Sequence, residues 1–237
     1  MDMYHINLHL TENIYLSDQN NMEKTRHANQ ADIINPLFEQ ASILIVWAGG
    51  IGSTTAMCLA QCWFNKITVV DYDEVENHNL ASQLYKEADI GLSKVHALAD
   101  NIKEFTGIDI RWYNQKYEPK MLKGIDIVII GVDNMATRKE VVESLTTKQT
   151  RFIDARMAAE AFLVYNYIPV YEKDLYMKTW YGDEEASPET CTNKSVSYNT
   201  FAIASILTRF VVGIVKQDPQ ILNKTQLSVD LHNLIIM

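Results

Sequence analysis

The sequence predicts an α/β fold: a mostly parallel sheet with helices on both faces and an antiparallel C-terminal extension. Three observations predict it. Short β-branched runs at residues 43–46, 67–70 and 125–130 are almost continuously apolar, as strands buried on both faces are, instead of alternating with polar residues. Between such runs, stretches such as 53–64 and 93–105 repeat their apolar residues at helical spacing. The chain then closes on a strand pair within 227–236, with no room for a helical crossover between its members.

Residues 1–22 alternate weakly (Ile6, Leu8, Leu10, then Ile14, Leu16) and read as an N-terminal edge segment, while 23–237 reads as a single domain. A polar arm with a short helix follows, ending at the turn marked by Pro36. Arg26 lies in this arm and is the first arginine of the chain, the next being Arg111. It matters if a site further on needs a cation from outside its own loops.

Residues 42–73 organise the rest. The run Ile43 to Val46 meets the corner Ala48-Gly49-Gly50-Ile51-Gly52, the helical pattern 53–64 follows, and a second run closes on Asp71 and Asp73. Strand, glycine corner, helix, strand, acid is the order of a Rossmann-like nucleotide site. Glycines let a phosphate approach backbone N–H groups, the helix N-terminus adds roughly half a positive charge, and an acid about 20 residues on meets a ribose hydroxyl. The first glycine of that fingerprint is replaced by Trp47, so the turn out of the strand must be wider or reshaped.

Residues 74–92 are polar and lack a period, as a long functional loop is. Ser93 is a plausible cap for the next helix, which puts Lys94 in its first turn. A lysine there opposes the helix dipole, so an anion is expected beside it. Strands are expected at 108–113 and 125–130, the second leading to Asp133 and a helix from about Met135. Asp71, Asp73 and Asp133 thus all fall at carboxyl ends of strands, where ligands of open parallel sheets gather. A strand at 151–154, an apolar run at 161–170, a mobile crossover loop at 171–193 and a long apolar helix at 197–215 complete the series.

Composition narrows the classes. The 237 residues are 47% hydrophobic and carry a net charge of −9, with no basic run to displace counterions, which argues against binding a nucleic-acid backbone. No signal peptide is visible and no apolar run reads as a membrane anchor, so a cytoplasmic protein is expected. Cys58 and Cys62 lie four apart in a helical pattern and read as small fillers of one buried face, with a metal or redox pair as the alternative; the absence of any C-x-x-C pair leaves no structural zinc clip.

Four motifs in one order, A-G-G-I-G-S at 48–53, V-D-Y-D-E-V-E-x-H-N-L-x-x-Q at 70–83, D-I-G-x-x-K at 89–94 and V-D-N-x-x-T-R at 132–138, resemble the ThiF/MoeB family, bacterial relatives of ubiquitin-activating enzymes. The resemblance covers about residues 26–208. It implies ATP and Mg2+, a dimer, and adenylation of a carboxylate, usually the C-terminal glycine of a ubiquitin-like or sulfur-carrier protein. By the same resemblance Gly49, Gly50 and Gly52 pass under the phosphates and Asp71 holds the ribose. Asp73, Asn79, Gln83 and Lys94 surround the phosphates, and Asp133 holds magnesium. Cys191-Thr192 resembles the start of the active-cysteine segment, where a thioester forms. The chain departs from the family at Trp47, at Ser82 where many members carry an arginine, and in lacking zinc-binding C-x-x-C pairs. Arg26, Arg138 and Arg156 are the candidate replacements for the missing arginine, with Arg26 preferred. Two other readings stay open: a weakened scaffold or heterodimer half that binds a partner without turnover, and a nicotinamide-dependent oxidoreductase, which would leave Lys94, Asp133 and the N-L-x-x-Q loop unused.

Overall fold

The structure, a computed structural model, describes residues 28–30, 32–34, 36–146, 150–181 and 195–237. Arg26, Cys191 and residues 1–22 therefore lie outside the described residues. The strands are β1 (Ile43–Val46), β2 (Ile67–Asp71), β3 (Arg111–Asn114), β4 (Ile127–Ile130), β5 (Arg151–Ala158), β6 (Ala161–Tyr167), β7 (Gln226–Asp230) and β8 (Ile235–Ile236). The helices are α1 (Gly50–Gln61), α2 (Lys94–Thr106), α3 (Met135–Ser144), α4 (Pro169–Met177), α5 (Ser197–Val215) and the single turn α6 (Pro219–Leu222).

One sheet runs in the order β3-β2-β1-β4-β5-β6-β7-β8. The pairs from β3 to β5 are parallel and those from β5 to β8 antiparallel, as expected of a parallel core with an antiparallel extension. Continuously apolar strands explain the double-sided cover. Ile43, Ile45, Ile67, Val69, Ile127 and Ile129 pack with helices α1, α2 and α5 on one face, and Leu44, Val46, Val128, Ile130 and Phe152 pack with α3 and α4 on the other. The order reverses between β1 and β4, and the loops leaving their carboxyl ends diverge around a crevice there.

The structure corrects three of the expected boundaries. Residues 108–110 connect before pairing begins, because Gly107 (φ 78) ends α2 in the left-handed conformation, so β3 starts at Arg111. Strand β5 continues past Asp154 to Ala158, since Arg156 and its neighbours pair with β6 along a hairpin. The expected crossover loop from residue 171 is instead helix α4 as far as Met177: Pro169 starts it and the Glu172 carboxylate accepts the Ile168 N–H at 2.6 Å. Helix α5, at the expected residues, is long and apolar enough to cross a membrane by length and composition, but 67% of its apolar stretch is buried and Ile203, Leu207 and Val211 join the core.

Beneath the antiparallel half lies a charged knot. Asp154, fully buried, pairs with the guanidinium groups of Arg138 from α3 and Arg156 (Nε to Oδ2 2.7 Å), and Tyr176 of α4 donates to it at 3.0 Å. Removing the carboxylate would leave two arginines buried without their anion. We expect Asp154→Ala to cost about 3–5 kcal/mol, read as a lowered midpoint in denaturant unfolding with an unchanged slope.

Candidate active site

The glycine corner is built against a steric constraint. Trp47 leaves β1 with φ 91, the left-handed conformation a glycine adopts freely, at a strain of roughly 1–2 kcal/mol for a bulky residue. Its carbonyl oxygen then lies where a Cβ on Gly52 would come, at 1.8 Å, so only glycine fits at that position. A Cβ on Gly50 would meet Thr200 Cγ2 at 2.9 Å and the Ser82 carbonyl at 3.3 Å. Gly49 is the N-cap of α1 and offers no side chain to bond the first-turn N–H groups, and that turn contains no acid. Those donors and the positive end of the helix dipole are therefore available to an anion.

The loop after β2 is held tightly to this corner. Tyr85 donates its hydroxyl to the Ala48 carbonyl at 2.6 Å, and the Leu84 N–H reaches Ser53 Oγ at 3.1 Å. Asn79 accepts the Glu76 N–H at 2.8 Å, closing a capping box around a single 3-10 turn. Lys94, 6% exposed at the start of α2, pairs through Nζ with Asp73 Oδ2 at 2.9 Å, so the anion expected beside it is Asp73. On the other side of the crevice, Asn134 caps α3 by accepting the Thr137 N–H at 2.8 Å, and its amide reaches Asp133 Oδ1 at 3.2 Å.

These parts enclose a cavity of about 670 Å³ at the β1/β4 switch point. Gly49, Gly50, Asp73, Asn79, Gln83, Lys94 and Asp133 all line it, so the glycine corner, the lysine and the acid after β4 meet in one place. Gly52 and Asp71 do not line it. Asp71 is 1% exposed, and its two carboxylate oxygens accept the N–H groups of Ala48 (2.7 Å) and Asp73 (2.8 Å). Burial pushes its carboxyl above the usual carboxylate range, and the two N–H groups and Lys94 pull back against that. In the described structure Asp71 therefore clamps the site from behind.

Of the two described arginine candidates for the role missing at Ser82, Arg138 lines the cavity but its guanidinium is committed to Asp154 and to the carbonyls of Ala155 and Val132. Arg156 is not among the lining residues and bonds the Thr179 carbonyl at 2.8 Å. Lys94 and Arg138 are the only lysine or arginine lining the cavity among the described residues. Sequence reasoning missed Ser195, a cavity-lining residue whose Oγ, like Oε1 of the lining residue Gln83, is buried without a hydrogen-bond partner. Those two orphaned groups suit a bound polar ligand. No group of three or more His, Cys, Asp or Glu able to hold a metal occurs among the described residues. The carboxylate of Asp133, as a single hard oxygen donor on the cavity wall, would suit a Mg2+ that takes its other ligands from outside the protein.

Cys58 and Cys62 are half-buried and line a separate cavity of about 430 Å³ at the far end of α1, away from the glycine corner. A hydrogen bond from Cys62 lowers the Cys58 thiol to about 6 and burial opposes it, while Cys62 is pushed up. Two outcomes follow from this geometry. Gly52→Ala should lower the melting temperature by roughly 5 °C or more, because the displaced group is backbone. Alkylation of Cys58 by iodoacetamide, followed by peptide mass analysis, should rise with a midpoint near pH 6, ahead of Cys62.

The comparisons agree with this fold. The model of the ThiF family matches residues 19–235. The chain is 40% identical over 105 residues to the adenylyltransferase and sulfurtransferase MOCS3-1 of Zea mays, a match covering 42% of this chain and 22% of that protein. A crystal structure of E. coli MccB with AMPCPP and MccA superposes with a TM-score of 0.70 at 17% identity, covering 96% of this chain and 78% of that one. The crystal structure of PaaA gives 0.68 at 16%, covering all of this chain and 76% of that one. At such identities the structural matches show the fold alone. The matched stretch spans less than a quarter of the maize protein's length.

Proposed function

The chain belongs to the ThiF family, and from that premise we propose that it uses ATP to adenylate a carboxylate. The observation that carries the reading is the convergence of Gly49, Gly50, Lys94 and Asp133 on one cavity. In the reaction a carboxylate oxygen attacks the α-phosphorus, the bond to the bridging oxygen breaks, and pyrophosphate leaves behind an acyl adenylate. Nucleophile and leaving group are both anionic, so the catalytic need is positioning and fixed positive charge, with no proton to move. Lys94, held by Asp73, supplies an ammonium that cannot swing away, and the first N–H groups of α1 supply the cradle. Asp133 is the proposed Mg2+ ligand; bound there, the ion would neutralise charge on the departing pyrophosphate.

The finer parts of the proposal are that the acceptor is the C-terminal glycine of a ubiquitin-like or sulfur-carrier protein, that Asp71 acts toward the ribose as well as the turn, and that the protein is a cytoplasmic homodimer. What supports the acceptor is the four-motif resemblance and the naming of the maize relative as an adenylyltransferase and sulfurtransferase. Arg26 is proposed to bring the cation that position 82 lacks. Cys191 is proposed to take the acyl group as a thioester, its thiolate attacking the carbonyl carbon with release of AMP. A second reading, a scaffold or heterodimer half that binds without turnover, is favoured by Ser82 and by an Arg138 whose guanidinium is already committed.

Isotope exchange between pyrophosphate and ATP separates the two. On the enzyme reading, exchange depends on an added ubiquitin-like acceptor and falls on the order of a hundredfold or more in Lys94→Ala and Asp133→Ala. Binding of a partner tail without exchange, with or without nucleotide binding, would support the scaffold, and failure to bind ATP-Mg at all would remove the enzyme reading.

A further inference from the structure

The indole of Trp47, partly packed against the core beneath it, has no role in the site described above. The residue stands where the nucleotide fingerprint calls for glycine, holds a backbone conformation costly for a bulky residue, and keeps a half-buried indole on the wall of the cavity. Strain of that kind persists only where surrounding structure enforces it, and it gathers at ligand clamps.

The indole is also fixed in direction. Tyr72 meets it edge to face, with ring centroids 5.1 Å apart and an interplanar angle of 85°. Lys116 Nζ lies 5.6 Å from the Tyr72 ring centre and steadies that partner. Gly49 leaves room beside it, since a Cβ there would meet Trp47 Cδ1 at 3.3 Å. Tyr72 follows directly on Asp71, so the indole sits beside the carboxyl end of β2, where doubly wound sheets receive the nucleoside half of a nucleotide. Lys94, Asp133 and the start of α1 occupy the polar part of the same cavity.

We infer that Trp47 is a stacking platform for the nucleobase. This rests on the nucleotide reading of the site and adds a contact of this chain's own, in place of the glycine that the fingerprint has there. A flat aromatic base on a rigid indole contributes affinity without reading the base's hydrogen-bonding edge, and the backbone strain at position 47 is the cost of holding the ring in place.

The test is equilibrium binding of two probes, ATP and inorganic tripolyphosphate, to the wild type, Trp47→Gly and Trp47→Phe. Glycine relaxes at φ 91, so Trp47→Gly is expected to fold, and Trp47→Phe preserves an aromatic face. Trp47→Gly should weaken ATP by about fivefold to a hundredfold while tripolyphosphate changes less than about twofold, and Trp47→Phe should restore ATP binding to within a few-fold of the wild type. The inference is overturned if Trp47→Gly binds ATP as well as or better than the wild type, if both probes weaken together, or if Trp47→Phe is no better than Trp47→Gly. A wild type that binds neither probe would instead bring down the nucleotide reading itself.

Discussion

The site depends on one buried carboxylate. Asp71 ends β2 and divides its oxygens between the Ala48 and Asp73 N–H groups, which joins the exit of β1 to the exit of β2. Without that clamp, the Ala48 N–H would lose its partner and the turn at residues 47–49 its tie to the end of β2. With it, the Trp47 carbonyl is pressed against Gly52 and the loop that carries Asp73 is aligned with the start of α2. Burying an acid is unfavourable, and the upward push on its carboxyl shows that cost; two short N–H bonds and the nearby Lys94 charge offset it. Tyr85 then closes the same corner from the other side through the Ala48 carbonyl, and burial pushes its hydroxyl well up, so it stays a donor.

This arrangement explains which parts of the site could be read from the residues. The β1-α1-β2 unit was legible because local signals agreed with the global fold: apolar strands, glycines at a corner, a helical period behind them. Lys94 was legible because a cation at a helix start is an electrostatic anomaly that only a nearby anion explains, and Asp73 is that anion. Asp71 was placed correctly at the tip of its strand, but the sequence could not reveal that its oxygens go to backbone, because a backbone N–H has no residue signature.

What was not legible has physical causes of the same sort. Helix α4 is short, starts at a proline and mixes charges with tyrosines, so its pattern resembles a loop until the Glu172 cap and the buried Tyr176 are seen in three dimensions. The extension of β5 to Ala158 follows from pairing with β6, a non-local interaction that gives polar Arg156 a strand position because Asp154 and Tyr165 receive its guanidinium. Ser195 joins the cavity only because α5 packs across α1, where Thr54 Oγ1 lies 3.2 Å from the Thr200 carbonyl; no motif marks it.

Charge is the remaining constraint. Asp73, Glu76 and Asp133 line the cavity against two cationic side chains, and both cations are already paired, Lys94 with Asp73 and Arg138 with Asp154. Summed over its walls the described cavity is acidic, and a triphosphate entering it would be repelled by the side chains taken alone. The start of α1 supplies roughly half a charge, too little for a polyanion. To hold the proposed triphosphate, the site would need positive charge that arrives with the ligand or from another part of the molecule. The divalent ion proposed at Asp133 would meet the first condition, and the proposed role of Arg26 would meet the second. A base-stacking contact at Trp47 follows the same logic, since affinity gained on the uncharged half of a nucleotide lessens what the phosphate half must supply.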